Sequence, residues 1–225
     1  MKDYIFSLMK PIPRLMLGFL VIALGTNLMV NSGIGLMPWG VFHWGLTNIA
    51  PLTFGQAQQI TGLVIILVAT WYKFYPGIGT IGNMIFVGLF IDIVANLRFL
   101  PVPQGFMAQL FILLLGVTFF DLGVYLYLSA DLGGGPRDSI MILFSEHSIF
   151  TPGQVKIIME ITVAIIGFFM GGLLGIGTLI SAITGGLILD VIFKLFKYTP
   201  DKRKTNNLVL NYKTLRSLKE ARENA

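Results

Sequence analysis

The chain has 225 residues, of which 55% are hydrophobic and 12% are charged, with a net charge of +5 and a mean hydropathy of +0.79. A water-soluble domain cannot bury so large an apolar fraction, so the composition indicates a membrane protein with several spans. The absence of cysteine excludes disulfides, thiol catalysis and cysteine-ligated metals.

The first apolar stretch follows the basic residues Lys2, Lys10 and Arg14, as in a signal peptide, but no small-residue cleavage site comes after it. We therefore expect a retained first span. A helix needs about 20 apolar residues to cross the hydrocarbon core. By that measure six spans are expected, near residues 14–30, 55–75, 78–97, 105–129, 152–173 and 176–193.

Two further apolar runs, at 38–50 and 136–148, are too short to cross a bilayer. The first follows the turn Gly-Ile-Gly-Leu-Met-Pro-Trp-Gly at 33–40, and the second follows Asp-Leu-Gly-Gly-Gly-Pro-Arg-Asp at 131–138. Glycine permits a tight turn, and proline presets the first turn of a helix. Each run is therefore predicted to be a short broken or re-entrant helix.

An internal repeat relates residues 18–94 to residues 116–192 without a gap, at an offset of 98 positions. Chance matches between membrane segments are mostly leucine and isoleucine. Here glycine, proline, threonine, glutamine and aspartate dominate, and the identities include Gly-Ile-Gly-Thr at 77–80 and 175–178. The pattern indicates a duplicated unit.

Each unit has three spans, which is an odd number, so the second copy must enter the membrane from the opposite side. The predicted fold class is an all-α polytopic membrane protein of two inverted repeats, residues 1–99 and 100–197, each with three transmembrane helices and one short helix. With the N-terminus in the cytoplasm, every basic residue except Arg98 falls on the cytoplasmic side. Inverted repeats with interrupted helices are typical of secondary transporters.

The last segment, residues 198–225, is expected to be a basic cytoplasmic tail, since nine of the sixteen Lys and Arg residues lie from Lys194 onward. Contact with anionic lipid is favoured over nucleic-acid binding for such a tail after a membrane domain. A helix on the inner membrane surface is expected there. Its apolar residues recur at helical spacing, at Leu208, Tyr212, Leu215 and Leu218.

The two glycine-proline turns form the candidate solute site. The free amides and the positive dipole end of a helix N-terminus attract anionic or polar groups. The alternative is that the short helices pack in the bundle or lie in the headgroup layer, with Trp39 and Trp44 as interfacial anchors. The candidate binding residues in the turns are Gly35, Pro38, Trp39, Gly133, Gly134, Gly135, Arg137 and Asp138.

Asp121 lies deep in the fourth span, where the first repeat has Ala23. An acid at the bilayer centre costs ~2.5–3.5 kcal/mol on insertion scales, so we expect it to face a cavity, with a hydrogen bond to a neighbouring helix as the alternative. Arg137 reads a carboxylate or phosphate, or pairs with Asp138. His43 is a proton-sensitive pore group or an interfacial side chain, and we favour the interface.

Asp92 and Glu160 are secondary candidates for solute binding. Glu160 follows Lys156 by one helical turn, so we expect the two to pair. The repeat places Asp190 at the position of Asp92, and Lys194 one turn later favours a structural pairing for Asp190. No metal-ligand pair or serine-histidine arrangement occurs, so we expect neither an enzyme nor a cofactor.

The Gly-Ile-Gly-Leu-Met-Pro-Trp-Gly turn, Thr-Phe-Gly-Gln at 53–56, and Gly-Ile-Gly-Thr followed by Gly-Leu-Phe-Ile-Asp at 88–92 resemble the bacterial YczE/YitT-type integral membrane proteins. The resemblance covers about residues 15–195. In that family an acid commonly follows Pro-Trp, whereas here position 40 is glycine and the acid follows the second proline as Asp138. The resemblance implies a location in the bacterial cytoplasmic membrane.

The expected function is a secondary transporter or permease for a small polar or anionic solute, with Asp121 binding the solute or coupling protons. Two alternatives remain. One is a non-transporting accessory protein that acts through its tail. The other is a solute-binding subunit with a separate energising partner. The lipid bilayer is the expected environment, and a homo-oligomer or a protein partner is left open.

Overall fold

The computed structural model describes residues 2–199 and 207–223, and this part of the chain contains helices and turns without any strand. A π-helical turn, Asn83–Val87, joins α5 and α6 into one rod. The helices are α1 (Lys2–Met9), α2 (Ile12–Ser32), α3 (Pro38–Ile49), α4 (Phe54–Trp71), α5 (Ile78–Gly82), α6 (Gly88–Leu97), α7 (Phe106–Leu128), α8 (Pro136–Glu146), α9 (Pro152–Phe169), α10 (Ile176–Leu195) and α11 (Leu208–Glu223).

Among the described residues, five helical stretches are long and apolar enough to cross a membrane. They are Phe6–Ser32, Phe54–Trp71, Ile78–Leu97, Phe106–Leu128 and Ile176–Leu195. The α9 helix is not among them, although its 18 residues equal the length of α4. Its first half carries the charged residues Lys156 and Glu160. The all-α membrane class predicted from the composition is confirmed.

The first long helices of the two repeats, α2 and α7, form the closest helix pair. Gly18 lies against Gly123, and Gly25 lies against Gly116, so numbers rise along one helix as they fall along the other. The two helices are therefore antiparallel. A Cβ added at Gly116 would lie 2.8 Å from the carbonyl oxygen of Gly25. Only glycine permits this approach of two backbones.

Each Gly-Ile-Gly-Thr turn bonds to the glycine-led loop of the other repeat. The amide of Gly79 donates to the carbonyl of Leu132 at 2.7 Å, and the amide of Gly177 donates to the carbonyl of Ile34 at 2.8 Å. Both pairs of positions are related by the repeat offset. We call these two bonds the reciprocal clamp. They satisfy backbone groups that the broken helices leave unpaired.

The short helices also pack across the repeats, since α3 lies mainly against α9, and α8 lies against α4. Corresponding long helices make corresponding contacts, because α6 packs on α2 as α10 packs on α7. The apolar core has two parts. One surrounds Phe19 and Tyr127, and the other surrounds Leu36 and Leu113.

The N-terminal end of helix α11 docks on the membrane domain. The amide of Leu208 donates to the carbonyl of Pro76 at 3.0 Å. The hydroxyl of Tyr4 donates to Oδ1 of Asn211 at 2.8 Å. The two bonds place the start of α11 beside α1 and the connection between α4 and α5.

The α2–α7 contact predicts that Gly123→Ala is destabilising. Its methyl group would meet the carbonyl oxygen of Gly18 at 2.7 Å, and overpacking of this kind costs about 1–3 kcal/mol. Gly186→Ala is the matched control, because a Cβ at Gly186 meets no atom within 4 Å. Thermal unfolding in one detergent should show a lower melting temperature for Gly123→Ala alone. Equal melting temperatures for the two variants would contradict the packing.

Candidate functional site

A cavity of about 580 Å³ lies between the first turns of α3 and α8, with walls from α2, α4, the rod formed by α5 and α6, α7, α9 and α10. Positions related by the repeat face it from both sides. Pro38 and Pro136 both line it, as do Trp39 and Arg137. Because equivalent positions of both repeats share one cavity, it lies at the junction of the repeats and within neither of them.

The N-terminal turns of the two short helices meet at this cavity. The guanidinium carbon of Arg137 lies 4.7 Å from the centre of the Trp39 ring, in a cation–π contact. The loop residues Gly133, Gly134 and Gly135 line the cavity beside them. The carbonyl of Gly134 accepts a hydrogen bond from the hydroxyl of Thr80 at 2.6 Å, which fixes this loop.

Gly35 lies outside the cavity lining and has a packing role. Its φ of 135° is in the region that favours glycine. A Cβ at this position would lie 2.6 Å from the amide nitrogen of Thr178. Gly35 therefore supports the reciprocal clamp through this close approach, and its binding role stays a prediction.

Asp121 points into the cavity from the middle of α7 and is 4% exposed. Its Oδ2 atom has no hydrogen-bond partner. Gly185 of α10 lies beside it, since a Cβ built there would be 3.9 Å from that oxygen, an ordinary contact distance. The structure thus places Asp121 at a cavity, as predicted, and Oδ2 is not used to bond a neighbouring helix.

His43 is buried with 1% exposure, so the expectation that it lies at the membrane interface is wrong. Because α3 packs against α9 and α4, the inner face of this short helix is enclosed. The His43 ring meets the Phe54 ring edge-on, with centroids 5.6 Å apart. Its Nε2 atom has no hydrogen-bond partner, and the residue lines the cavity.

Gln58 is a site residue that sequence reasoning did not identify. It is 9% exposed, lines the cavity from α4, and has an unpartnered Oε1 atom. The repeat supplies the one signal that could have found it, since the equivalent position in α9 is the charged Lys156. A polar residue at the same place in both copies indicates a face that is not turned to lipid.

In the described part of the chain, three buried side-chain atoms lack a hydrogen-bond partner, and all three belong to residues that line this one cavity. They come from Asp121, His43 and Gln58. A buried polar group left unpaired costs about 1–3 kcal/mol. Molecules that enter the cavity, solute or water, must complete these bonds. The cavity is therefore suited to a polar solute or to water molecules.

Charged groups lie on the wall formed by α9. Lys156 Nζ is 3.9 Å from Glu160 Oε1, which confirms the predicted pairing, and both residues line the cavity. The exposed pair has little effect on stability. Its position on the wall makes it available to a charged solute.

Asp92 lies away from the cavity lining, and each of its carboxylate oxygens has a hydrogen-bond partner. Its carboxylate accepts from the hydroxyl of Thr53 at 2.5 Å and from the amide of Gly55 at 2.9 Å, at the start of α4. A helix N-terminus stabilises such an acid. Asp138 belongs to the first turn of α8, but its side chain lies outside the described residues.

The cavity reaches the ends of α7 and α10 at Asp131 and Tyr198. The Tyr198 hydroxyl donates to the carbonyl of Leu128 at 3.1 Å. Burial raises the pKa of the Tyr198 phenol, with smaller contributions from the charges of Asp131 and Tyr125. The phenol stays protonated at neutral pH and acts as a neutral hydrogen-bond donor at this end of the cavity.

Comparison with known proteins gives relatives but no activity. Residues 9–194 match the model of a family described as a family of unknown function, DUF6198. The chain is 36% identical over 174 residues to an uncharacterized membrane protein, YczE, of Bacillus subtilis, covering 76% of this chain and 80% of the relative. It is 28% identical over 191 residues to an uncharacterized protein of Haemophilus influenzae, covering 85% of this chain and 87% of the relative. No solved structure matches the chain significantly.

The site predicts opposite effects of neutralising two acids. Asp92→Asn should lower thermal stability by about 1–3 kcal/mol, because a carboxylate oxygen that accepts a bond at a helix N-terminus is lost. Asp121→Asn should leave stability unchanged or raise it, because Oδ2 of Asp121 has no partner to lose. Melting curves of the two variants in the same detergent provide the measurement. A larger loss in Asp121→Asn would show that this acid is structural.

Proposed function

Since the chain belongs to the family of unknown function DUF6198, we propose that it is a secondary transporter or permease for a small polar or anionic solute in the bacterial cytoplasmic membrane. The relatives support a membrane protein of the YczE type. The cavity between the repeats supports the transport activity.

The proposed architecture has six spans in two inverted repeats, with both termini in the cytoplasm. Two observations support the inversion: the antiparallel course of α2 and α7, and the reciprocal clamp between positions that the repeat relates. The length of α9, equal to that of α4, supports a sixth span. The distribution of basic residues supports the orientation.

The single observation that carries the proposal is the unpartnered carboxylate oxygen of Asp121 at the cavity. An acid in a membrane-spanning helix is costly and marks a solute or proton pathway. Here its cost is not offset by a structural bond to Oδ2. A solute that donates a hydrogen bond, or a proton, is the partner this oxygen lacks.

The cavity also supplies groups for the other end of a solute. Arg137 and the first turns of α3 and α8 line it, and a half-helix N-terminus directs its amides and positive dipole end toward an anionic group. We assign the donor end of the solute to Asp121 and Gln58, and its acceptor or anionic end to Arg137 and the loop amides. The proposal includes no catalytic step and no cofactor.

A second candidate is a non-transporting accessory role, and the docking of α11 on the membrane domain is the observation that favours it. The solute-binding subunit with a separate energising partner is the third. These functions differ in which part of the chain they require. Deleting residues 200–225 should abolish an accessory function but leave transport intact.

Proteoliposomes provide the test. The protein is reconstituted with a pH-sensitive dye inside, and inorganic phosphate, small carboxylates and amino acids are offered separately. We expect protein-dependent flux of one of these classes, lowered about tenfold or more in Asp121→Asn, because a hydrogen bond to a charged group is worth about 1.5–3 kcal/mol.

Thr118→Val is the matched control, since Thr118 lies on the outer face of the same helix and bonds only to the carbonyl of Leu114. It should transport at the wild-type rate. Wild-type transport by Asp121→Asn would remove this acid from the mechanism. Solute binding without flux would favour the subunit that needs a partner.

A further inference from the structure

Four residues that join α4 to α6 in the first repeat recur unchanged in the second. Thr53, Gly55, Gly88 and Asp92 correspond to Thr151, Gly153, Gly186 and Asp190. We call the first set the α4–α6 closure and the second set its α9–α10 counterpart.

The α4–α6 closure is engaged. Asp92 bonds to Thr53 and Gly55 at the start of α4, as described above. The glycines bring the two backbones together, since a Cβ at Gly88 would lie 2.5 Å from the carbonyl oxygen of Gly55. The helices α4 and α6 are in direct contact along this line.

The α9–α10 counterpart is disengaged. A Cβ added at Gly153 or at Gly186 meets no atom within 4 Å. Thr151 forms a capping box with Gln154, as Thr53 does with Gln56, so the caps are alike in the two sets. Asp190 is exposed, and within the described residues it forms neither a hydrogen bond to Thr151 nor the ion pair with Lys194 that the sequence favoured.

The disengaged helices frame one side of the cavity. Lys156 and Glu160 of α9 and Gly185 and Gly186 of α10 all line it. The helix α9 packs mainly on α3 and has little contact with α10, unlike α4 with α6. Residues of α4 and α6 line the cavity too, but these two helices are packed together at their closure, whereas α9 and α10 are separated at its counterpart.

We propose that Thr151, Gly153, Gly186 and Asp190 form a second closure that engages in another conformation of the protein. In that conformation Asp190 accepts bonds from Thr151 and the amide of Gly153, α9 and α10 meet at their glycines, and the α4–α6 closure opens. The two closures alternate, and each controls access to the cavity from its own side. In assigning this alternation to solute access, the inference rests on the proposed function.

One bond of the α4–α6 closure has no equivalent in the second repeat, and it favours the engaged state of the first. In the first repeat the side-chain amide of Gln59 donates to the carbonyl of Ile85 at 2.8 Å. The position equivalent to Gln59 is Ile157, which has no side-chain donor. The α4–α6 closure therefore has a bond that its counterpart cannot form through the same position.

Spin-label distances test the inference in the full chain, which has no native cysteine. Exposed and repeat-related sites give matched pairs: Ile60→Cys with Ile93→Cys across α4 and α6, and Ile158→Cys with Val191→Cys across α9 and α10. In lipid nanodiscs the first pair should show mainly a short distance. The second pair should show a long distance and a minor component that coincides with that short one.

Asp190→Ala should abolish the minor short component of the second pair, although Asp190 makes none of the closure bonds in the present structure. Gly186→Leu should abolish it too, because the side chain fits here but blocks contact between α9 and α10. Asp92→Ala should have the opposite effect, lengthening the first pair and increasing the short component of the second.

An unchanged distribution in Asp190→Ala, or a single long distance for the second pair in wild type and Asp92→Ala alike, would overturn the alternating closures. The measurement involves no solute, so its result is independent of the transport assay. Alternating distances without flux of any solute class would sustain the two closures and refute the proposed function.

Discussion

Two backbone hydrogen bonds exchanged between the repeats hold the broken helices in place. The hydrocarbon core offers no water to a broken helix, so irregular backbone persists there only where protein groups pair with it. The amide of Gly79 donates to the carbonyl of Leu132 in one loop, and the amide of Gly177 donates to the carbonyl of Ile34 in the other. Glycine is required at the donor positions because a Cβ at either one would lie 2.8 Å from a loop carbonyl oxygen.

The reciprocal clamp determines where the cavity lies. Each glycine-led loop is held by a long helix of the other repeat. The short helices α3 and α8 start from these two loops, and their first turns meet at Trp39 and Arg137. The glycines, prolines and threonines of this scaffold recur in both copies. Much of the cavity lining has diverged instead, and the differing equivalent positions include Ala23 and Asp121, Trp39 and Arg137, His43 and Met141, and Gln58 and Lys156.

The sequence predicts features that depend on local spacing. The repeat, the glycine-proline breaks and the ion pair of Lys156 with Glu160 all depend on residues close in sequence or on the fixed offset. The placement of Asp121 was predictable because a single acid in an apolar span is expected to face a cavity or a polar partner.

Features that depend on packing between distant helices were not predictable. His43 reads as interfacial because its short helix carries aromatic residues, and only the contact of α3 with α9 encloses it. The partners of Asp92 were not predictable because they lie 37 and 39 positions earlier in the chain, at the start of α4. Nothing in the sequence of the two Gly-Ile-Gly-Thr turns indicates the loop to which each one bonds.

The central claim is that the repeats enter the membrane from opposite sides, and cysteine accessibility tests it most directly. Leu97 and Leu195 are equivalent, exposed and placed at the ends of α6 and α10. On intact cells a membrane-impermeant maleimide should label Leu97→Cys and should label Leu195→Cys only after permeabilisation. Labelling of both positions from the same side would contradict the account.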